Sequence, residues 1–218
     1  MSLLDALTGG GQSAGRTYGV AAGIVTNNQD PDGLGRVKIK FPWLSEDNET
    51  GWVRIATFMT GNERGSFFLP EVGDEVLVAF GHGDINQPYV VGALWSGKDK
   101  PPETNSDGKN NIRKLRSRSG HEIIFNDDST TKKEKIEIHT KAKHKIILDD
   151  SAGGEKIEIV DKTGNNKIII DSTQNSINIE STMQLKIKSQ IIEIEAGGNM
   201  TIKSVGILTL SGSLVKIN

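Results

Sequence analysis

From about residue 115 to the end of the chain, apolar residues come in pairs split by one intervening residue. The pairs are Ile123 and Phe125, Ile136 and Ile138, Ile146 and Leu148, Ile157 and Ile159, Ile168 and Ile170, Ile177 and Ile179, Leu185 and Ile187, Ile192 and Ile194, Met200 and Ile202, Leu208 and Leu210, and Val215 and Ile217. Alternation with a period of two puts both members of a pair on one face of a strand, and Lys, Glu, Asn, Ser or Thr on the other. The pattern predicts eleven short strands with a common apolar face.

Two repeats are nested in it. Glu134-Lys135-Ile136-Glu137-Ile138 returns letter for letter as Glu155-Lys156-Ile157-Glu158-Ile159, 21 residues later. Its partner recurs as Glu122-Ile123-Ile124-Phe125-Asn126-Asp127-Asp128, as Lys145-Ile146-Ile147-Leu148-Asp149-Asp150 and as Lys167-Ile168-Ile169-Ile170-Asp171. From Ile177 onward the spacing contracts to 7 or 8 residues per strand, with turns such as Ala196-Gly197-Gly198-Asn199 and Ser211-Gly212-Ser213. Fixed-period self-similarity of this kind marks a solenoid or a strand array.

A strand with two inward side chains buries little alone. It must stack on neighbours about 4.8 Å away and face other sheets across a narrow core. Two closures satisfy this: one chain coiling on itself, or three chains winding round one axis. Periodicity does not choose between them. Eleven strands stacked one ladder spacing apart would make a column about 50 Å long.

Composition agrees with a thin core. Apolar residues make up 35% of the 218 and aromatics only 5%, low for a compact globule. A net charge of -2 gives no reason to expect nucleic acid or anionic lipid as a partner. Without cysteine, disulfides and thiolate metal sites are excluded. Met1-Ser2-Leu3-Leu4-Asp5 has neither the basic region nor the apolar run of a secretion signal, and no apolar run approaches membrane-spanning length. Folding in the cytoplasm, with no signal peptide, is expected.

The first half reads differently. Residues 1–18 form a tether in which Leu3, Leu4 and Leu7 can lie on one side of a short amphipathic turn, followed by the glycine-rich run Gly9–Gly15. Ten of the eleven aromatics precede residue 96. Strand-like runs at Gly19–Thr26, Gly35–Phe41, Gly51–Ala56, Glu75–Phe80 and Tyr89–Leu94, separated by turn residues, predict a small barrel of OB type over 19–96. Val37, Ile39 and Phe41 alternate inward while Arg36, Lys38 and Lys40 face out. Trp43 and Trp52 are expected to fill the barrel or a contact between copies. Asp32-Gly33-Leu34-Gly35 supplies the glycines that a tight turn with positive φ requires. Residues 97–114 read as a linker and 115–218 as a shaft.

These motifs carry a resemblance. Gly23-Ile24-Val25, Asp32–Ile39, Phe41-Pro42-Trp43, Gly51-Trp52-Val53-Arg54-Ile55-Ala56, Pro70–Phe80, Gly83-Asp84 and Pro88-Tyr89-Val90-Val91-Gly92 stand in the order and spacing of one family. The segment resembles the OB domain of contractile-injection spike proteins, namely baseplate assembly protein V of contractile phage tails and the VgrG spikes of type VI secretion. The Ile-x-Ile repeats resemble the β-helical shaft of the same proteins. Together the resemblances span residues 19–218.

The resemblance implies an all-β homotrimer with an OB barrel followed by a triple-stranded β-helix. The paired apolar residues given above would form the shaft core. The resemblance also implies a baseplate hub protein at the N-terminal end, docked through Leu3, Leu4 and Leu7. A PAAR-type tip protein would sit at the C-terminal end, on Val215, Ile217 and Asn218. The particle would be a virion or injection device that pierces a target membrane on sheath contraction. Some phage spikes of this type hold a lysozyme domain between barrel and shaft, but the linker here is far too short for one. No catalytic, cofactor-binding or metal-binding residue is assigned. A monomeric β-solenoid used as an adhesin is the alternative.

Other chemistry weighs less. OB barrels also bind single-stranded nucleic acid, yet residues 19–96 carry five Lys or Arg against ten Asp or Glu, a poor groove for a polyanion. His82 with Asp84 reads as a turn between strands, and His139 and His144 as solvent-facing and too far apart along a strand to chelate. Asp127-Asp128, Asp149-Asp150 and Asp171 are better read as strand-end turns than as calcium ligands.

Overall fold

The structure is a computed structural model in which residues 16–44 and 48–217 are described. Leu3, Leu4, Leu7 and Asn218 lie outside the described residues. The chain divides into two compact units between Asn110 and Asn111, and each is taken by itself.

The first unit contains β1 (Val20–Asn27), β2 (Lys38–Lys40), β3 (Arg54–Ile55), the two-residue strands β4 (Thr60–Gly61) and β5 (Arg64–Gly65), β6 (Glu75–Phe80), a 3-10 turn at Gly81–Gly83, and β7 (Pro88–Ala93). Five of the strands make one sheet in the order β2-β1-β6-β7-β3. All pairings are antiparallel except β3 with β7, which is parallel. Beyond the named strands, Val37 and Val53 exchange backbone hydrogen bonds of 3.0 and 2.7 Å, tying the two outer strands together. The sheet therefore curls on itself in the Greek-key order of an OB fold.

Alternation explains the core. Val76, Val78 and Phe80 of β6 point inward, as do Val37, Ile39 and Phe41 on and beside β2, joined by Val25, Val53 and Val90; all nine are buried. Lys38 faces out and bonds Glu49 at 2.8 Å. Of the two places expected for the tryptophans, the barrel interior is not the one they take. Trp43 follows Pro42 in a turn, is 53% exposed, and only leans on Phe41 with ring centroids 5.6 Å apart. Trp52 precedes the inward Val53, so the pleat turns it outward, beneath Lys38 Nζ at 5.5 Å.

The second unit contains a seven-stranded antiparallel meander. It runs β8 (Ile112–Arg116), β9 (Glu122–Asn126), β10 (Lys135–His139), β11 (Lys145–Asp149), β12 (Lys156–Val160), β13 (Asn166–Asp171) and β14 (Ser176–Ser181), each strand paired with its sequence neighbour. The 21-residue repeat is thus a hairpin repeat. β8 begins inside the stretch read as a linker. It places Arg113 opposite Phe125, where its neighbours have apolar residues, so only Leu115 signals the strand on that face.

Residues 182–217 depart from the expected run of strands. They hold five of the eleven apolar pairs yet carry no helix or strand in the single copy. Leu185 and Ile187, Ile192 and Ile194, Met200 and Ile202, Leu208 and Leu210, and Val215 and Ile217 were expected to be buried in a shaft core, and in one copy all ten are exposed. Ile187, Ile194, Ile202 and Leu210 are the inward residues that end their pairs, and each is more than 60% exposed. The physical reason is the absence of a ladder: with no neighbouring strand to take its backbone hydrogen bonds, an alternating segment has no sheet on which to turn its apolar face inward.

Candidate functional site

The register of the meander assembles twelve of the paired residues into two rows on one face. One row runs Phe125, Ile136, Leu148, Ile157, Ile170 and Ile177, each directly opposite the next. The other runs Ile123, Ile138, Ile146, Ile159, Ile168 and Ile179. Two rows of isoleucine and leucine would ordinarily be covered. In the single copy they are open instead of buried, with exposure from 38% at Ile123 to 68% at Ile177. An open sheet covers neither of its own faces, so the expected burial of these twelve needs a second surface laid against them. A concavity of ≈ 620 Å³ lies along this face, lined by Ile138, Ile146, Ile159, Ile168, Ile179 and Leu185. Of the strandless segment, Gln184 and Leu185 reach this concavity.

The opposite face is better sheltered, although it is the polar one. Its central row alternates Ile124, Glu137, Ile147, Glu158 and Ile169 across the strands, and all five are half-buried. Lys135 and Lys156 reach Glu137 and Glu158 at 2.5 and 3.0 Å. The middle isoleucines, Ile124, Ile147 and Ile169, were invisible to pair counting because each sits between the paired positions.

The aspartates recurring at strand ends hold turns. Asp149 Oδ1 accepts from the Ser151 N–H at 2.9 Å. Asp171 Oδ1 accepts from the Thr173 and Gln174 N–H groups, both at 2.9 Å, and from Thr173 Oγ1 at 2.6 Å. The Thr173 hydroxyl, followed by these backbone donors, holds the Asp171 carboxyl below its usual range. At Asp161, desolvation pushes the carboxyl up but is outweighed by Thr163 and Asn166, leaving its pKa lowered to about 2.

The histidines are spread out. His139 and His144 flank one hairpin turn rather than lying along one strand. His139 is half-buried beside Glu137, 3.1 Å away, and His144 is exposed. His121 Nδ1 accepts from the Lys141 N–H at 3.3 Å, and His144 Nδ1 from the Lys162 N–H at 3.2 Å, linking successive turns on one edge. Among the described residues no group of three or more His, Asp or Glu side chains is placed to hold a metal ion. No helix among them is long and apolar enough to cross a membrane.

In the first unit the Asp30–Arg36 turn is the most tightly built feature. The Asp30 carboxylate, 3% exposed, accepts from Arg36 Nε at 2.8 Å and Nη2 at 2.7 Å. It also takes the N–H groups of Asp32, Leu34 and Arg36. The Arg36 guanidinium, more than any other partner, holds the Asp30 carboxyl well below the ordinary carboxylate range. Gly33 and Gly35, with φ of +66° and +67°, let the chain fold round it. Beside this turn Leu34, Phe58, Met59, Phe67, Phe68 and Val91 line a groove of ≈ 950 Å³, and Phe58 is 97% exposed. The crowding of aromatics before residue 96 was the signal for this patch, but no periodicity singled out these phenylalanines.

Comparison with known proteins places the barrel. Residues 21–95 match the family described as the Type VI secretion system/phage-baseplate injector OB domain. The type VI secretion system spike protein VgrG3 of Vibrio cholerae is 34% identical over 118 residues, covering 50% of this chain and 11% of that protein. The actin cross-linking toxin VgrG1 of Vibrio cholerae matches to the same extent, 34% over 118 residues and 11% of its length. The spike protein VgrG5 of Pseudomonas aeruginosa is 40% identical over 75 residues, 33% of this chain and 10% of its own. The matched stretches thus span about a tenth of these relatives. Curled sheet, strand order and matched residues agree: residues 21–95 belong to the injector OB-domain family, and through them the chain is similar to VgrG-type spikes of contractile injection systems.

Proposed function

We propose that the chain is a non-enzymatic central spike of a contractile tail or injection machine, working as a homotrimer. Residues 1–18 tether it to a baseplate hub, residues 19–96 form the mounted barrel, and 97–114 link it to residues 115–218, an intertwined three-chain shaft. In that shaft Ile187, Ile194, Ile202 and Leu210 gain from the other two copies the strand neighbours they lack in one. A PAAR-type protein caps the end at Val215, Ile217 and Asn218, and sheath contraction drives the assembly through a target envelope.

One observation carries this reading: two unbroken rows of Ile and Leu stand open in a single copy, downstream of an injector OB domain. Apolar area of this extent marks a contact surface. The polar, salt-bridged outer face suits exposure to water, and the short strands suit a stiff hydrogen-bonded column.

The test is the native mass of the purified chain, by light scattering or native mass spectrometry. Three copies are expected. A well-folded single copy would overturn the proposal.

A further inference from the structure

The meander has two turn edges, and they differ in charge. On one edge the β8–β9, β10–β11 and β12–β13 turns (117–121, 140–144 and 161–165) carry Arg118, Lys141, Lys143 and Lys162, all exposed, against the single carboxylate of Asp161. On the other edge the β9–β10, β11–β12 and β13–β14 turns (127–134, 150–155 and 172–175) carry Asp127, Asp128, Glu134, Asp150 and Glu155 against Lys132 and Lys133.

The charges also match level by level. Each hairpin closed on the basic edge is open on the acidic one. At the open end of the hairpin closed by Lys141 and Lys143, the Asp150 N–H bonds the Glu134 carbonyl at 3.0 Å. The hairpin closed by Arg118 opens where the Asp127 N–H bonds the Asn111 carbonyl at 2.8 Å. The hairpin closed by Lys162 opens where the Ser172 N–H bonds the Glu155 carbonyl at 3.0 Å. Every basic turn thus has a carboxylate at the same height on the far edge.

We propose that these two edges are complementary halves of a seam between copies of this chain: the basic turns of one copy pack against the acidic turns of the next. This deepens the trimer reading above and rests on it. Rotation about an axis along the strand-stacking direction turns the apolar faces inward and keeps heights unchanged. It brings one copy's basic edge onto its neighbour's acidic edge, a head-to-tail contact that closes on itself at three copies. Neighbouring turns on an edge are two strand spacings apart, about 9.6 Å. A slip by one strand moves a turn by only about 4.8 Å, inside the screening length at physiological salt, and sets two of the three basic turns level with the acidic turns at 127–134 and 150–155, so the charges select which edge meets which and not the level. On this reading the apolar face supplies the adhesion, and the charged edges set the direction of the ring.

The experiment compares the full-length chain with K141E/K143E, with E134K/D150K, and with the variant carrying all four changes. Native mass is measured across protein concentration at about 50 mM and about 500 mM salt. With the seam, each two-site variant needs at least about tenfold more protein to assemble at low salt, and recovers at high salt. The four-site variant assembles within about threefold of the unaltered chain. If the unaltered chain is a trimer and the two-site variants assemble equally well, the seam is wrong and the trimer reading stands. The seam also falls if they weaken and the four-site variant does not recover. A single-copy unaltered chain would remove the trimer, and the seam with it.

Discussion

At the scale of single residues, stability in the first unit concentrates in the barrel core and in the Asp30–Arg36 turn. Ile39 is fully buried, so Ile39→Ala leaves a cavity, and chemical denaturation should show this unit losing about 2–5 kcal/mol. The Asp30 carboxylate is held below its usual range by Arg36, so between its folded value and an unfolded value of about 4 the unfolded chain binds the extra proton. Its contribution is therefore fully present above about pH 4 and is lost as the pH falls through the folded value. Thermal scans of Asp30→Asn should show a lower melting temperature at neutral pH. They should also show a smaller acid-induced loss than the unaltered chain; an unchanged acid response would assign that loss to other carboxylates.

Residue identity was legible where one face of a strand decides burial. Val37, Ile39 and Phe41 lie inside because a pleat with one buried face leaves them no other place. For Trp43 and Trp52 the choice between the barrel interior and an outward contact was not legible. Hydrophobicity alone places tryptophan inside, whereas the Pro42 turn and the inward Val53 decide where these two point.

At the scale of elements, the meander follows from alternation together with turn chemistry. Ser117, Thr140 and Asp161 open the three turns of the basic edge, and each side-chain oxygen accepts a backbone N–H four or five residues later. Thr140→Ala should fray the β10–β11 hairpin, since the His144 N–H loses its 3.0 Å acceptor. The check is faster hydrogen exchange at His144 and Lys145 than in the unaltered chain, with the β12–β13 hairpin unaffected. The paired isoleucines told which face each strand would present, and the register sets them side by side. They did not tell that sequence neighbours pair antiparallel, because period-2 alternation is the same in either direction. β8 escaped notice because Arg113 occupies a position that is apolar in every later strand. Residues 182–217 show the complementary limit. Ile187, Ile194, Ile202 and Leu210 keep the alternation of Ile138 or Ile159, yet alternation fixes only a preferred face and supplies no hydrogen-bonding partner.

At the scale of the whole molecule, the isoleucine face separates the trimer reading from its rivals. Ile179 is 54% exposed in one copy, so Ile179→Asp costs a lone chain little. In a column that buries this face, it places an unpaired carboxylate in an apolar core, at several kcal/mol per copy. Assembly should then fail by native mass, while the first unit keeps its own unfolding transition. A variant that forms the same trimer would show that this face is not the contact.

The meander's connections also bear on the order of events during synthesis. Each strand joins its predecessor across a turn of four to eight residues, so the sheet closes through local pairings, which form quickly as the chain leaves the ribosome. Among the described residues, 182–217 have no such local partner. A newly made polypeptide would then hold a finished platform and an unfinished tail, and the tail's completion would wait on meeting its siblings. On the proposed trimer reading, the yield of assembled trimer should rise more steeply than in proportion to expression level, and translation of several copies from one message would be the most favourable place for that meeting.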